Sequence, residues 1–450
     1  MTNAPSESVY AARRSGAVAR SLALGYGGAV AMWALAYVAM MNPGPIIGEA
    51  LFALTLACAI VAGLMAGRGR LPGESGWAAG AKAGFIIATV NMLLIGSLIG
   101  GESRGERLMQ ALIWIAANYV VTIGLAAAGG AITTTPRSGN RDWFSIFTRV
   151  AAATVFLLLI TGGLVTGLEA GLAVPDWPKS FGHNMLLYPL SQMTGGVFYE
   201  HAHRLYGMLV GVTAITLAFS VLFLDERRWV RILVFVYLAM VCVQGYMGGT
   251  RVTETSVPLA IVHGVFGQVV FATACAIAVT TSPRWRLRRD PATTPAAKID
   301  RTWSTVLVCG FLVQLALGAM YRHTLHVHVL YTHILWALFV LGMVIFVGGR
   351  AWRGNPAATA DDQRLLMKFG KATLHTSGLQ IALGVVAMIA VLSRGSAPPA
   401  TSGTATPIGT IPLWEIVFTS AHQAIGALLL AMATMLMLWT RRAVPAKVHA

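Results

Sequence analysis

Residues 200–207 read Glu-His-Ala-His-Arg-Leu-Tyr-Gly and run directly into an apolar stretch that ends near residue 224. A carboxylate, two imidazoles and a guanidinium thus stand at the entrance to a segment long enough to cross a bilayer, for which about 20 apolar residues suffice. Ionisable groups cost free energy inside a membrane, and those found there are candidates for function. Later apolar segments carry a histidine in a comparable place, namely His263, His333 and His422.

The composition is that of an integral membrane protein. Of the 450 residues, 56% are hydrophobic and only 11% are charged, whereas soluble proteins carry about 25% charged residues. The formal net charge of +16 could indicate a nucleic-acid partner. The basic residues, however, cluster between apolar runs, as the positive-inside rule describes, so we expect no nucleic acid.

The apolar runs predict an all-α integral membrane protein with about 12 transmembrane helices. Most basic residues fall in alternate loops together with both termini, which places the termini in the cytoplasm. The predicted spans are 21–41, 49–66, 76–100, 108–133, 146–167, 202–224, 230–249, 257–280, 303–321, 328–348, 369–392 and 412–439.

The last eight predicted spans read as a four-helix unit used twice, which predicts two pseudo-repeated bundles. His203 and His333 open the second helix of each unit, and His263 and His422 lie early in the fourth. All four lie near the external ends of inward-running helices, so we expect them to share one shallow layer. A single such histidine is commonly an interhelical hydrogen bond. Four at matched depth favour axial pairs for haem iron.

This pattern predicts three regions. Residues 1–142 form an N-terminal four-helix membrane region of unknown role, residues 143–290 form the first bundle, and residues 291–450 form the second. The Gly and Ala content of the N-terminal region suits close helix packing. Its polar residues Asn91 and Asn118 are expected to make interhelical hydrogen bonds.

Glu200 lies three residues before His203, so one helical turn places both side chains on the same face. A carboxylate there could relay protons or stabilise a cationic intermediate. An equal alternative is a charge at a helix start, favoured by the helix dipole. Arg204 is a candidate partner of a haem propionate or of Glu200.

Four further histidines lie at or outside the predicted external boundary, and we expect them to be solvated. They are His201, His323, His326 and His328. The last two remain alternatives to His333 as a ligand.

Five motifs occur in a fixed order along the chain. They are Gly163-Leu-Val-Thr-Gly167, Gly171-Leu-Ala-Val-Pro-Asp-Trp-Pro178, Glu200-X-X-His203-Arg204-X-X-Gly207, Gln244-Gly245 with Gly248-Gly-Thr-Arg-Val252, and the histidines His263 and His422. In this order they resemble the haem A synthase family, over residues 145–440.

The resemblance implies that the protein oxidises the C8 methyl of haem O to the formyl group of haem A, by way of alcohol intermediates, for cytochrome oxidase. It implies that Glu200 is catalytic and that His203 and His263 ligate the iron of the substrate haem. It further implies that His333 and His422 ligate a cofactor haem b, which passes electrons.

The resemblance also implies a bacterial inner membrane and makes haem O synthase a candidate partner. It leaves a homo-oligomer open and does not identify the electron donor. A rival hypothesis is a non-enzymatic bis-histidine di-haem electron carrier, which would need neither Glu200 nor the Pro-Asp-Trp-Pro loop. A transporter is a weaker rival, because the ionisable residues are shallow and no pair of broken helices is apparent.

Overall fold

The fold is taken from a computed structural model of the chain. It describes residues 7–41, 44–99, 104–136, 141–287, 295–354, 360–393 and 411–442. Most of the predicted external segment 393–411 lies outside these ranges, and so does the tail beyond residue 442.

Within these ranges the structure is almost entirely helical. One long loop carries a pair of two-residue antiparallel strands, β1 (Lys179–Ser180) and β2 (His183–Asn184). The α-helices are α1 (Glu7–Met40), α2 (Pro45–Arg68), α3 (Gly76–Ile95), α4 (Arg104–Ala131), α5 (Trp143–Gly167), α6 (Gly195–Leu224), α7 (Arg228–Thr253), α8 (Val257–Thr280), α9 (Pro283–Arg286), α10 (Pro295–Thr324), α11 (Val327–Arg353), α12 (Ala360–Ser393) and α13 (Leu413–Arg442).

Twelve of the described helices, all but the short α9, are long and apolar enough to cross a membrane. The prediction of an all-α integral membrane protein is therefore confirmed. Several helices extend beyond the predicted spans: α6 begins at Gly195, α10 at Pro295 and α12 at Ala360. Hydropathy detects only the apolar part of a helix, whereas Glu, Lys and Arg are good helix formers that continue it.

The chain divides into two compact units. Helices α1 to α4 belong to the first and pack against one another, while α10 to α13 belong to the second and form a closed ring of neighbours. The first unit consists of Met1–Leu157, Pro178–Thr194 and Arg204–Ala239, and the second of Leu158–Trp177, Gly195–His203 and Met240–Ala450. The predicted division into 1–142, 143–290 and 291–450 follows repeats in the sequence and stays a prediction.

Helices in the first unit approach one another at small residues. A Cβ added to Gly63 or to Gly80 would overlap the main chain of Ala126, so these helices touch at backbone distance. Such packing is typical of membrane helices, which gain no hydrophobic free energy by leaving lipid. Asn91 accepts a hydrogen bond from the Trp33 indole at 3.1 Å, and Asn118 donates to a carbonyl of α3, so both make the interhelical bonds expected of them.

A buried ion pair ties α1 to the turn before α3. Arg20 is 1% exposed and contacts Glu74 at 2.8 Å, while also donating to the carbonyl of Gly69. Lys82 reaches the same carboxylate at 2.9 Å. Burial raises the pKa of Glu74, but the hydrogen bonds from Lys82 and the Leu71 N–H and the charge of Arg20 outweigh it, so the pKa is lowered.

We expect Glu74→Gln to destabilise the protein by about 3–5 kcal/mol, because it leaves the Arg20 charge buried without an anion. Lys82→Ala is the matched control, since Lys82 is exposed and an exposed pair contributes about 0–1 kcal/mol. Unfolding of detergent-purified protein measures both. Because the folded pKa of Glu74 is lowered, its contribution is present above about pH 4.3 and is lost as the pH falls through the folded pKa. Equal effects of the two variants would contradict this assignment.

Candidate functional site

The four histidines and Glu200 all belong to the second compact unit. Each histidine lies within the first turns of its helix: His203 in α6, His263 in α8, His333 in α11 and His422 in α13. Each of these helices begins at the end of the bundle that was predicted to be external. That the four share one layer at a common depth stays a prediction.

Each of the four imidazoles packs against a glycine of the preceding transmembrane helix. A Cβ added to any of these glycines would lie 2.8–3.0 Å from the Cε1 atom of the ring. Real Cβ atoms do not approach so closely, so each ring occupies the space of a missing side chain. The pairs are Gly162 with His203, Gly248 with His263, Gly318 with His333, and Gly384 with His422.

The hydrogen bonds of two imidazoles indicate which ring nitrogen carries the proton. The Nδ1 of His422 lies 3.2 Å from the main-chain carbonyl of Gln380, which can only accept, so Nδ1 carries the proton. The Nδ1 of His203 lies 3.1 Å from the hydroxyl of Thr161, whose own hydrogen is donated to the carbonyl of Leu158. The unprotonated nitrogen of both rings is therefore Nε2, and in His422 it lies 3.4 Å from the side-chain amide nitrogen of Gln380. An unprotonated imidazole nitrogen is the form that binds a metal.

His333 and His422 face each other with ring centroids 6.4 Å apart. An imidazole nitrogen binds a metal at about 2.0–2.1 Å and the ring centre lies roughly 1.1 Å behind it, so two rings sharing one metal have centres about 6.3 Å apart. The observed separation therefore fits a bis-histidine haem iron. The side-chain amide of Gln314 lies 3.2 Å from both nitrogens of His333 and holds the ring from α10.

In three of the four helices that carry these glycines, a glutamine of the same helix also forms a hydrogen bond to the histidine residue. The three helices share a Gln-X-X-X-Gly pattern. The glutamine precedes the glycine by one turn, at Gln244, Gln314 and Gln380. The amide of Gln244 donates to the main-chain carbonyl of His263 at 2.9 Å. The roles of Gln314 and Thr161 were not predicted. The recurring four-residue spacing could have revealed the glutamines, whereas Thr161 belongs to no such pattern.

Glu200 is 3% exposed and lies within α6, beyond its first turn. The alternative of a charge at a helix start is therefore wrong, because the helix begins at Gly195 rather than near residue 202. The Oε2 atom of Glu200 accepts a hydrogen bond from the Val174 N–H at 3.0 Å. The carboxylate thus holds the loop that contains the Pro-Asp-Trp-Pro motif.

The same loop is fixed at two further points. Arg251 at the end of α7 donates to the carbonyl of Gly171. The indole of Trp177 lies directly on Gly249, where a Cβ would overlap it, and contacts the ring of Tyr246 edge-on. The loop is therefore packed onto the end of α7, within one residue of the glycine that contacts His263.

The remaining predicted residues lie as follows. His201 is fully buried, so its predicted solvation is wrong; the early start of α6 places it inside the helix. His326 and His328 are exposed, which favours His333 as the ligand. Arg204 donates to the main-chain carbonyl of Lys179 in β1 at 3.1 Å, and its role toward a propionate stays a prediction.

These observations define a class of protein: a polytopic helical membrane protein with a histidine near the start of four of its helices. Residues 145–327 match the family model described as cytochrome oxidase assembly protein. Over 200 aligned residues the chain is 29% identical to haem A synthase of Caulobacter sp. (strain K31). The aligned segment covers 41% of this chain and 54% of that protein. Over these segments the chain is similar to the cytochrome oxidase assembly family and to this haem A synthase.

The matched segment contains Glu200, His203 and His263, whereas His333 and His422 lie beyond residue 327. The chain spans about half the length of the curated relative it matches. The resemblance to the family model is therefore confined to residues 145–327, and the case for the second histidine pair rests on geometry.

We expect Gly384→Ala to displace the His422 ring, because the new Cβ would lie 2.8 Å from its Cε1. Haem bound per chain, measured in the purified protein, should fall, with affinity reduced about 10–100-fold as for other losses of ligand positioning. Gly378→Ala is the control, because it adds the same methyl group to the same helix and meets nothing within 4 Å. Equal haem content in the two variants would show that the glycine contact does not position the ligand.

Proposed function

We propose that this protein is a haem A synthase that oxidises the C8 methyl of haem O to a formyl group by way of an alcohol. The observation that carries the proposal is a buried carboxylate, Glu200, one helical turn from His203, whose Nδ1 lies against the Thr161 hydroxyl. Both residues fall in the segment that matches the family model.

In this proposal His203 and His263 ligate the iron of the substrate. Thr161 holds the His203 ring by accepting its Nδ1–H, and Gly162 and Gly248 let the two rings approach their neighbouring helices. A substrate held by both rings has a fixed edge relative to α6. Such positioning can contribute several kcal/mol to catalysis by fixing the reacting carbon against the catalytic group.

The reaction converts a methyl group and one water into a formyl group, and releases four electrons and four protons. Glu200 is placed to accept protons from the reacting carbon and from the attacking water. A carboxylate that is shielded from solvent also stabilises positive charge that develops on the carbon. Its hydrogen bond from Val174 keeps it in place while the Pro-Asp-Trp-Pro loop packs on α7 and limits the access of water.

His333 and His422 would hold the cofactor haem b. Reversible one-electron transfer is the chemistry that this group would supply there, and the four electrons released would leave to a membrane redox partner. Gln314 and the Gln380 carbonyl orient the two rings. Because both partners lie in the same bundle as the ligands, this pair is preorganised for a resident cofactor.

Location and partners belong to the same proposal. The distribution of basic residues is consistent with both termini in the cytoplasm of a bacterium, and with the inner membrane as the site of action. Haem O is the substrate, so a haem O synthase is the natural supplier. Arg204, next to His203 in the sequence, donates to the carbonyl of Lys179 in the loop. It is a candidate partner for a propionate of the haem.

The rival di-haem electron carrier explains the histidines equally well. It does not explain why a carboxylate is buried one turn from His203, or why Glu200, Arg251 and Gly249 all fix one loop. Burying an ionisable group is costly, and an electron carrier gains nothing from it. The enzyme is therefore the better account.

We expect Glu200→Gln to bind haem O but to form haem A about 10²–10⁴ times more slowly, because it loses the acid–base group. The amide oxygen of glutamine can still accept from the Val174 N–H, so the loop should stay in place. Haems extracted from cells supplied with haem O, separated by chromatography, measure the outcome. Accumulated alcohol would place the block after the first oxidation.

Glu200→Ala is the comparison, because it removes both the charge and the acceptor for Val174. If Glu200→Gln forms haem A at the wild-type rate while Glu200→Ala does not, the residue only supports the loop. If both variants form haem A normally, Glu200 has no part in the reaction.

We expect His333→Ala to lose the b-type haem, because His422 alone cannot provide a bis-imidazole pair. His326→Ala and His328→Ala should retain it, since both side chains are exposed. Reduced-minus-oxidised spectra of the purified variants give the haem content. Retention of haem b by His333→Ala, with loss in either control, would show that the ligand is one of the two exposed histidines.

A further inference from the structure

Three arginines meet at the end of the second bundle that lies opposite the histidines. Arg301 lies near the start of α10, and Arg441 and Arg442 end α13. Arg441 is exposed, while Arg301 and Arg442 are half-buried. None of the three takes part in the proposed chemistry.

Hydrogen bonds hold the two helix ends together and bring Arg441 beside the start of α10. The hydroxyls of Ser304 and Thr440 are 3.0 Å apart. Arg441 donates to the hydroxyl of Thr305 at 2.6 Å, and Thr305 in turn donates to the carbonyl of Arg301. Arg441 therefore reaches within one helical turn of Arg301.

Two of these arginines have guanidinium nitrogens that the contacts above leave unused. Among the described residues, the buried Nε and Nη2 atoms of Arg301 and the buried Nε of Arg442 have no hydrogen-bond partner. The carboxylate beside Arg301 is Asp300, but it pairs with Arg350 at 2.7 Å. The Nε–Nη2 edge is the one that binds phosphate or carboxylate with two parallel hydrogen bonds.

Aromatic side chains line the same place. Arg442 lies 5.4 Å from the centroid of the Trp285 ring and donates to the carbonyls of Trp285 and Leu287. Trp285 contacts Trp439 edge-on at 5.3 Å. Tryptophan is enriched at the level of lipid headgroups. Further along α10, Val306 and Val313 are exposed and provide an apolar surface for acyl chains.

We propose that Arg301, Arg441 and Arg442 bind the phosphate of an anionic phospholipid of the phosphatidylglycerol class. The phosphate oxygens satisfy the unpaired guanidinium edge, the tryptophans flank the glycerol region, and the acyl chains follow α10. Basic pockets between membrane helices are known to hold such headgroups. Free phosphate would satisfy the arginines but would leave the apolar surface unused.

The test is native mass spectrometry of the full-length protein in detergent, titrated with phosphatidylglycerol, with phosphatidylcholine and with inorganic phosphate. We expect the wild type to retain phosphatidylglycerol and Arg301→Gln to bind it about 10–100-fold more weakly, the loss expected for hydrogen bonds to a charged group. Thr305→Val releases Arg441 without changing the charge, and should weaken binding by a smaller factor.

Arg353→Gln is the control, because it removes the same charge from an exposed position at the same end of the bundle. If Arg353→Gln and Arg301→Gln lose the same amount of phosphatidylglycerol binding, the effect comes from the net positive charge of this end of the bundle. That result would contradict a specific site. Displacement of the lipid by millimolar inorganic phosphate, or equal retention of phosphatidylcholine, would overturn the choice of an anionic lipid. A correctly folded Thr305→Val that binds like the wild type would exclude a role for Arg441.

Discussion

The approach of an imidazole to the bare backbone of a neighbouring helix is the contact on which the site depends. In a membrane, helices gain little by excluding water, so close packing at small residues sets their separation. At Gly318 and Gly384 the missing side chain is replaced by the ring of a histidine. This contact fixes the distance between helices and the position of the imidazole together, and the rings of His333 and His422 lie with their centroids 6.4 Å apart.

The second constraint is the hydrogen bond between Glu200 and the loop that contains the Pro-Asp-Trp-Pro motif. Glu200 is buried, and it is tolerated because the Val174 N–H satisfies one of its oxygens. The same bond holds the loop that packs on α7 through Trp177 and Arg251. In the proposed reaction, the orientation of the carboxylate therefore depends on the position of the loop. A catalytic group held in this way keeps its orientation as charge develops, which is the condition for effective electrostatic stabilisation.

Much of this could be predicted from the sequence. Twelve apolar runs predicted the membrane helices, and the depth of the histidines in matched segments predicted where they would lie. The start of α6 could not be predicted from hydropathy, because residues 195–201 mix glycine, aromatic and charged side chains; His201 was therefore expected in solvent although it is buried. Thr161 was missed because its contact with His203 depends on the rotation of α5, which a pattern of residue types does not determine.

The central claim is that the histidines form two haem-binding pairs with different occupants. It is tested most directly by electron paramagnetic resonance and pigment extraction on one preparation of the purified wild-type protein. The account predicts a low-spin bis-imidazole signal from one haem b per chain without added substrate. It predicts a second low-spin haem, extracted as haem O or haem A, when haem O is supplied. Protein that contains no haem b, or only high-spin iron, would contradict it.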